Sequence, residues 1–162
     1  MSLFKILTIE DVESEMLAGK IAVQNFPKTM AFPLSEWYVK LVTQIKTIEI
    51  SSEAILYSSI EAITENKEFE LPHYWCFAGN GQGDRWFLNS GNQVFFYDHD
   101  YDEKLEPMNI NFEQWLQMAF VIQQLDHYFE EYEDIPKPVK QEFYDTLNTI
   151  HIKLSEIYPF TF

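Results

Sequence analysis

Asp98-His99-Asp100-Tyr101-Asp102 places carboxylates at alternate positions around a histidine. Carboxylates and imidazole hold hard cations or carry protons, so metal binding and acid–base work are the chemistries to weigh first. A calcium loop needs a central glycine and a closing bidentate carboxylate, and Glu103 and Asn109 stand at those positions. If the strand continues through this stretch, alternation turns Asp98, Asp100 and Asp102 to one side and His99 and Tyr101 to the other. A histidine packed beside Tyr101 is then the plainer reading, with a metal ligand or a base at His99 as its competitor. Gly79-Asn80-Gly81-Gln82-Gly83 has the glycine content of a phosphate loop. Such a loop must open a helix whose free N–H groups hold the phosphate, and the strand-like Arg85-Trp86-Phe87-Leu88 follows instead, so a hairpin turn is expected. The four histidines (73, 99, 127 and 151) show no His-x-x-x-His spacing, and no serine lies in a Gly-x-Ser-x-Gly elbow. Cys76, between Trp75 and Phe77, reads as a small strand residue rather than a nucleophile. We therefore assign no catalytic residue, no metal ligand and no cofactor.

The acids have a second concentration at Asp126–Asp134, DHYFEEYED, where they mix with Tyr128, Phe129 and Tyr132. From Asp98 to Asp134 there are eleven acids and one base, Lys104, which accounts for −10 of the net −15 of the whole chain. A field of that sign repels nucleic acid and anionic membranes and attracts a basic protein. Two readings stay open for the run at 126–134. It is a solvated helix end that keeps the protein soluble, or it is a surface shaped for a partner. On the second reading Asp98, Asp100, Asp102, Glu103, Glu130, Glu131, Glu133 and Asp134 steer a partner in, and Tyr101, Tyr128 and Tyr132 anchor it.

Elements that would position these groups follow from periodicity and capping. The 162 residues make one ordinary domain, 1–162, and 14 Phe, 9 Tyr and 4 Trp supply a core. Thr8 caps a short helix with Ile9, Val12 and Met16 on one face, closed at Gly19. A proline-bounded connection, 26–33, leads to a helix capped by Ser35, with Trp37, Leu41 and Ile45 at helical spacing. Residues 47–50 and 54–57 are strand candidates. Ser58 and Glu61 form a capping box for a helix to about Asn66. Residues 73–98 read as a three-stranded antiparallel meander with Trp75, Trp86 and Phe96 in the core. Asn111 caps the strongest helix, 112–131, which adds Trp115 to the core, and a last helix spans 138–157. Strands grouped between helices give α+β, with a mostly antiparallel or mixed sheet flanked by N-terminal and C-terminal helices. No apolar run approaches the ~20 residues a bilayer needs. The start lacks the marks of a signal peptide, and the lone cysteine fits a reduced, cytoplasmic setting.

The order Trp75-x-Phe77-Ala78-x-x-Gly81, Gly83-Asp84-x-Trp86-x-Leu88, Val94-Phe-Phe-Tyr-Asp98-His-Asp100, then Asn111-Phe112-x-x-Trp115-Leu116 resembles the SUKH superfamily, named in part for yeast cell-wall regulators. The likeness covers about 70–130, and Ala54–Ile63 fits the preceding strand and helix. Members carry a Leu-Pro-x-x-Tyr helix closing on Asn-Gly, whereas this chain has Phe32-Pro33 and Tyr38 with no Asn-Gly. The resemblance implies function by binding and no catalytic set. Bacterial members look like intracellular immunity proteins that neutralise a toxin domain, often a nuclease. Eukaryotic relatives look like regulatory scaffolds, which makes a non-catalytic interaction module for a cellular protein or peptide the alternative. An enzyme at Asp98, His99 and Asp100 is the third reading. An unpaired edge strand is compatible with a monomer or a homodimer.

Overall fold

The computed structural model describes residues 2–18, 32–101 and 104–161. Six strands pair in chain order, each antiparallel to its neighbour: β1 Ile48–Ser51, β2 Ala54–Leu56, β3 Trp75–Gly79, β4 Arg85–Leu88, β5 Gln93–Tyr97 and β6 Leu105–Asn111. Among the described residues six helices accompany them: α1 Ile9–Leu17, α2 Glu36–Val42, α3 Ser59–Asn66, α4 Phe112–Tyr132, α5 Lys137–Ile150 and α6 Leu154–Ile157. The α+β expectation holds, and the central meander is β3–β4–β5. The sheet is antiparallel throughout rather than mixed, and it gains the edge strand β6, which the sequence reading did not contain.

Caps explain where the helices begin. Thr8, Ser35 and Ser58 each accept the N–H three residues on, from Asp11, Tyr38 and Glu61. At Ser58 the reciprocal half of the box is rerouted. The Ser58 N–H donates to the Thr47 hydroxyl at 2.9 Å, and that hydroxyl donates to the Glu61 carboxylate. Asn111 and Gln114 form a complete capping box at the start of α4. The expected closure at Gly19 and most of the connection at 26–33 lie outside the described residues.

The core is one cluster on two sides of the sheet. On one side, α4 lies against β1, β5 and β6, with α1 and α5 packed on it. Phe77 meets Phe112 and Trp115 edge-on, and Trp86 meets Phe96 and Trp115. Trp75, Trp86, Phe96 and Trp115 are all buried, as expected. The pleat sends Phe87 and Tyr97 to the other side, where Phe69 packs edge-on against both beyond α3. The Asn66 side chain bonds both backbone groups of Cys76, continuing the ladder where β2 ends. Cys76 is buried in β3, and burial pushes its thiol well above the ordinary range, which disfavours the thiolate.

Candidate functional site

The β3–β4 turn is built by an asparagine. The Asn80 side-chain oxygen accepts from the N–H groups of Gln82 and Asp84, and Gly83 takes φ +97°, which glycine alone adopts without strain. The turn fixes Asp84, which is only 5% exposed. Its Oδ2 accepts from Asn80 Nδ2 at 3.0 Å, and its Oδ1 takes the His99 N–H at 3.2 Å and His99 Nδ1 at 2.6 Å. Burial alone would raise the Asp84 carboxyl. The hydrogen bonds from Asn80 and His99 outweigh it and hold Asp84 below the usual carboxylate range. The hydrogen bond to Asp84 raises His99 above the usual histidine range against an opposing desolvation, and the charges of Asp100, Asp84 and Asp98 add to the rise.

β5 ends at Tyr97, so the acids that follow form no strand stripe. Asp98 to Tyr101 make a turn, in which the Tyr101 N–H donates to the Asp98 carbonyl and the Asp100 N–H to the Asp98 side chain. That turn swings His99 inward to Asp84 instead of leaving it beside Tyr101, and its Nε2 lies 3.2 Å from Asp100 Oδ1. Asp84, Asp98 and His99 each offer a ligand atom within 4.8 Å of the others. As arranged, Asp84 and His99 are hydrogen-bonded to each other at 2.6 Å.

Two neighbouring hollows open at this end of the molecule. The smaller, about 280 Å³, is lined by Asp84, Asp98, His99 and Asp100. The larger, about 440 Å³, has Asp126 and Phe129 of α4 in its wall, with Asp134 beyond the helix end. Glu53, Phe160 and Thr161 line both. Glu53 occupies the tight turn between β1 and β2, held by its carbonyl, which accepts from Trp86 Nε1 at 2.9 Å. Desolvation pushes its carboxyl up to about 7. A hydrogen bond from Asn80 works against this, and the charges of Asp84 and Asp126 reinforce it. Asp126 accepts from both the N–H and the hydroxyl of Ser52, at 2.8 and 2.9 Å.

The eleven sequence-derived partner residues divide. Asp98 and Asp100 line the smaller hollow and Asp134 the larger. Glu130, Glu131 and Glu133 are exposed at the end of α4. Helical spacing sets Glu130 on the same stripe as Asp126 and Phe129, and Glu131 off it, while Glu133 is the left-handed C-cap just past the last turn. Tyr101 is 72% exposed and lines neither hollow. Tyr128 and Tyr132 pair with ring centroids 4.5 Å apart on another flank of α4, with Tyr128 half-buried. Asp102 and Glu103 lie outside the described residues. Sequence reading missed Glu53, Asp84 and Asp126 as site residues. The available signals were the Gly83-Asp84 pair beside an expected turn and the four-residue interval from Asp126 to Glu130.

No described helix is long and apolar enough to cross a membrane. Compared with protein-family models, curated proteins and solved structures, the chain matched none.

Proposed function

We propose that this chain is a non-catalytic binding protein that holds a basic protein partner on the acidic end described above. The partner's class follows from the SUKH-like order of residues: a toxin domain, such as a nuclease, that the chain neutralises as an intracellular immunity protein. One observation carries the reading. Two adjoining hollows gather carboxylates from three distant stretches of chain, Glu53, then Asp84, Asp98 and Asp100, then Asp126 and Asp134. A nuclease exposes a basic cleft to hold phosphates, and a rigid acidic surface occupies such a cleft while opposite charge accelerates encounter.

The test is the association rate with a basic toxin domain encoded beside the chain, measured against ionic strength. Replacing Glu130 and Glu133 by lysine is expected to slow association about tenfold or more at low salt and to flatten the salt dependence. An unchanged rate removes the end of α4 from the interface. Failure of the intact chain to bind or inhibit that toxin removes the immunity reading. The alternative, a regulatory module binding a cellular peptide, has one observation in its favour. A mainly apolar hollow of about 400 Å³ beside α3 is lined by Phe32, Phe69, Leu71, Pro72, Tyr74 and Trp75, with Asn66 and Glu70 as its polar members.

A further inference from the structure

The larger hollow combines two properties that the rest of the acidic surface does not. Its floor is apolar, made by Ile122, Leu125 and Phe129 of α4 with Tyr158 and Phe160 of the C-terminal segment. Its charged lining is carboxylate, from Glu53, Asp126 and Asp134, with the hydroxyl residues Ser52 and Thr161 beside them, and no lysine, arginine or histidine is among the lining residues. Asp126 is already oriented by its two bonds from Ser52. Phe129 is 52% exposed, so a ring face is open to a ligand. Its volume, about 440 Å³, lies in the range of ligand pockets, roughly 300–1,000 Å³.

Each class of occupant meets these features differently. A purely apolar side chain would strip water from three carboxylates and give nothing back. A small inorganic cation would leave the aromatic floor unused. An aliphatic stem ending in a cation satisfies both, and a guanidinium does so better than an ammonium because it stacks on aromatic rings and engages a carboxylate with two parallel N–H groups. We infer that this hollow receives an arginine side chain of the protein partner, with its methylenes on Phe129 and Tyr158 and its guanidinium between Asp126 and Glu53. This rests on the reading of the acidic end as a protein-binding surface and names the group that anchors it.

A proton consequence follows. Glu53 faces Asp84 across the smaller hollow, with Asp98, His99 and Asp100 beyond, and it faces Asp126, Asp134 and Tyr158 across the larger. Desolvation and the like charges raise its carboxyl to about 7. A guanidinium beside it favours the ionised form, so binding expels a proton and strengthens as pH rises from about 6 to about 8.

The experiment titrates the intact protein with N-acetyl-arginine amide, following backbone and side-chain NMR shifts. N-acetyl-citrulline amide, the uncharged isostere, and N-acetyl-lysine amide serve as comparisons. Expected shifts are confined to residues 52–53, 122–135 and 158–161. The arginine derivative should bind about tenfold or more tightly than citrulline, as loss of a charged hydrogen-bonded pair implies, and more tightly than lysine. Phe129→Ala and Asp134→Asn, both at exposed positions, should weaken binding while the protein stays folded, with its amide spectrum unchanged away from the hollow. Shifts elsewhere, equal binding of citrulline, tighter binding of lysine, or no binding overturns the inference. The broader reading fails separately. If Glu130→Lys and Glu133→Lys leave the toxin's association rate unchanged while the arginine derivative still binds, the steering surface is lost and the hollow stands. If steering holds and the arginine derivative does not bind, the hollow alone is lost.

Discussion

Glu53 is a carboxyl at the acidic end whose titration the fold moves upward. Its carboxyl is raised to about 7 by burial first and by Asp84 and Asp126 after it. An acid that titrates higher when folded holds a proton that the unfolded chain has already lost between about pH 4.5 and 7. Stability therefore falls as pH rises through that window and stays lower above it. Glu53→Gln removes the charge and keeps an oxygen for the contact with Asn80 Nδ2. The substitution should raise the unfolding free energy at pH 8, by on the order of 1 kcal/mol once solvent screening is allowed for, and leave it nearly unchanged at pH 5. Equal gains at both pH values would show that ionisation is not the cause. The acids at 98, 100 and 134 were visible by count, because exposed charge is a property of composition. Glu53 and Asp84 were not visible as site residues, because their surroundings come from Asn80, His99, Trp86 and Asp126, groups brought together by the sheet and α4.

Elements were legible where a local rule decides them and illegible where two rules overlap. Thr8, Ser35, Ser58 and Asn111 all cap the helices their spacing announces. β6 was hidden by Pro107 and by the two-residue excess that sets Gln93 opposite Asn111 and Phe95 opposite Pro107, with Asn109 at φ +58°. An edge strand tolerates both a proline and such a bulge, and the buried pair Met108 and Ile110 retains the two-residue period. The expected helix 138–157 is two helices, because His151 is extended and Lys153 sits at φ +61°. Apolar spacing runs through the break undisturbed, since Leu147 and Leu154 both point into the core. Lys153 is exposed and lacks a side-chain cap bond, so its left-handed backbone is an uncompensated cost. Lys153→Gly should stabilise the protein by about 0.5–1 kcal/mol in urea unfolding. A loss instead would mean that Lys153 makes a compensating interaction with solvent-side groups of α5 or α6.

Over the whole molecule a net charge of −15 on 162 residues opposes compaction, and its uneven distribution makes the opposition local. Glu53, Asp126 and Asp134 surround one hollow, Glu130 continues the stripe with Glu133 at the helix's C-cap, and the C-terminal end of α4 adds its own negative pole to that region. A surface meant only for solubility would spread the same charge, whereas a surface that binds a cation accepts this repulsion in the free protein and relieves it on binding. The two differ in how stability responds to position. Asp134→Lys and Glu70→Lys each change the net charge by the same amount, Asp134 at the hollow and Glu70 exposed beside the apolar hollow near α3. Near 0.01 M salt, where the Debye length is roughly 30 Å, Asp134→Lys should raise the unfolding midpoint more than Glu70→Lys. Near 1 M, where it is roughly 3 Å, the two midpoints should converge. Equal midpoints at low salt would describe a diffuse charge and remove the energetic case for a dedicated acidic surface, and a difference that persists at high salt would trace to a short-range contact rather than to the field.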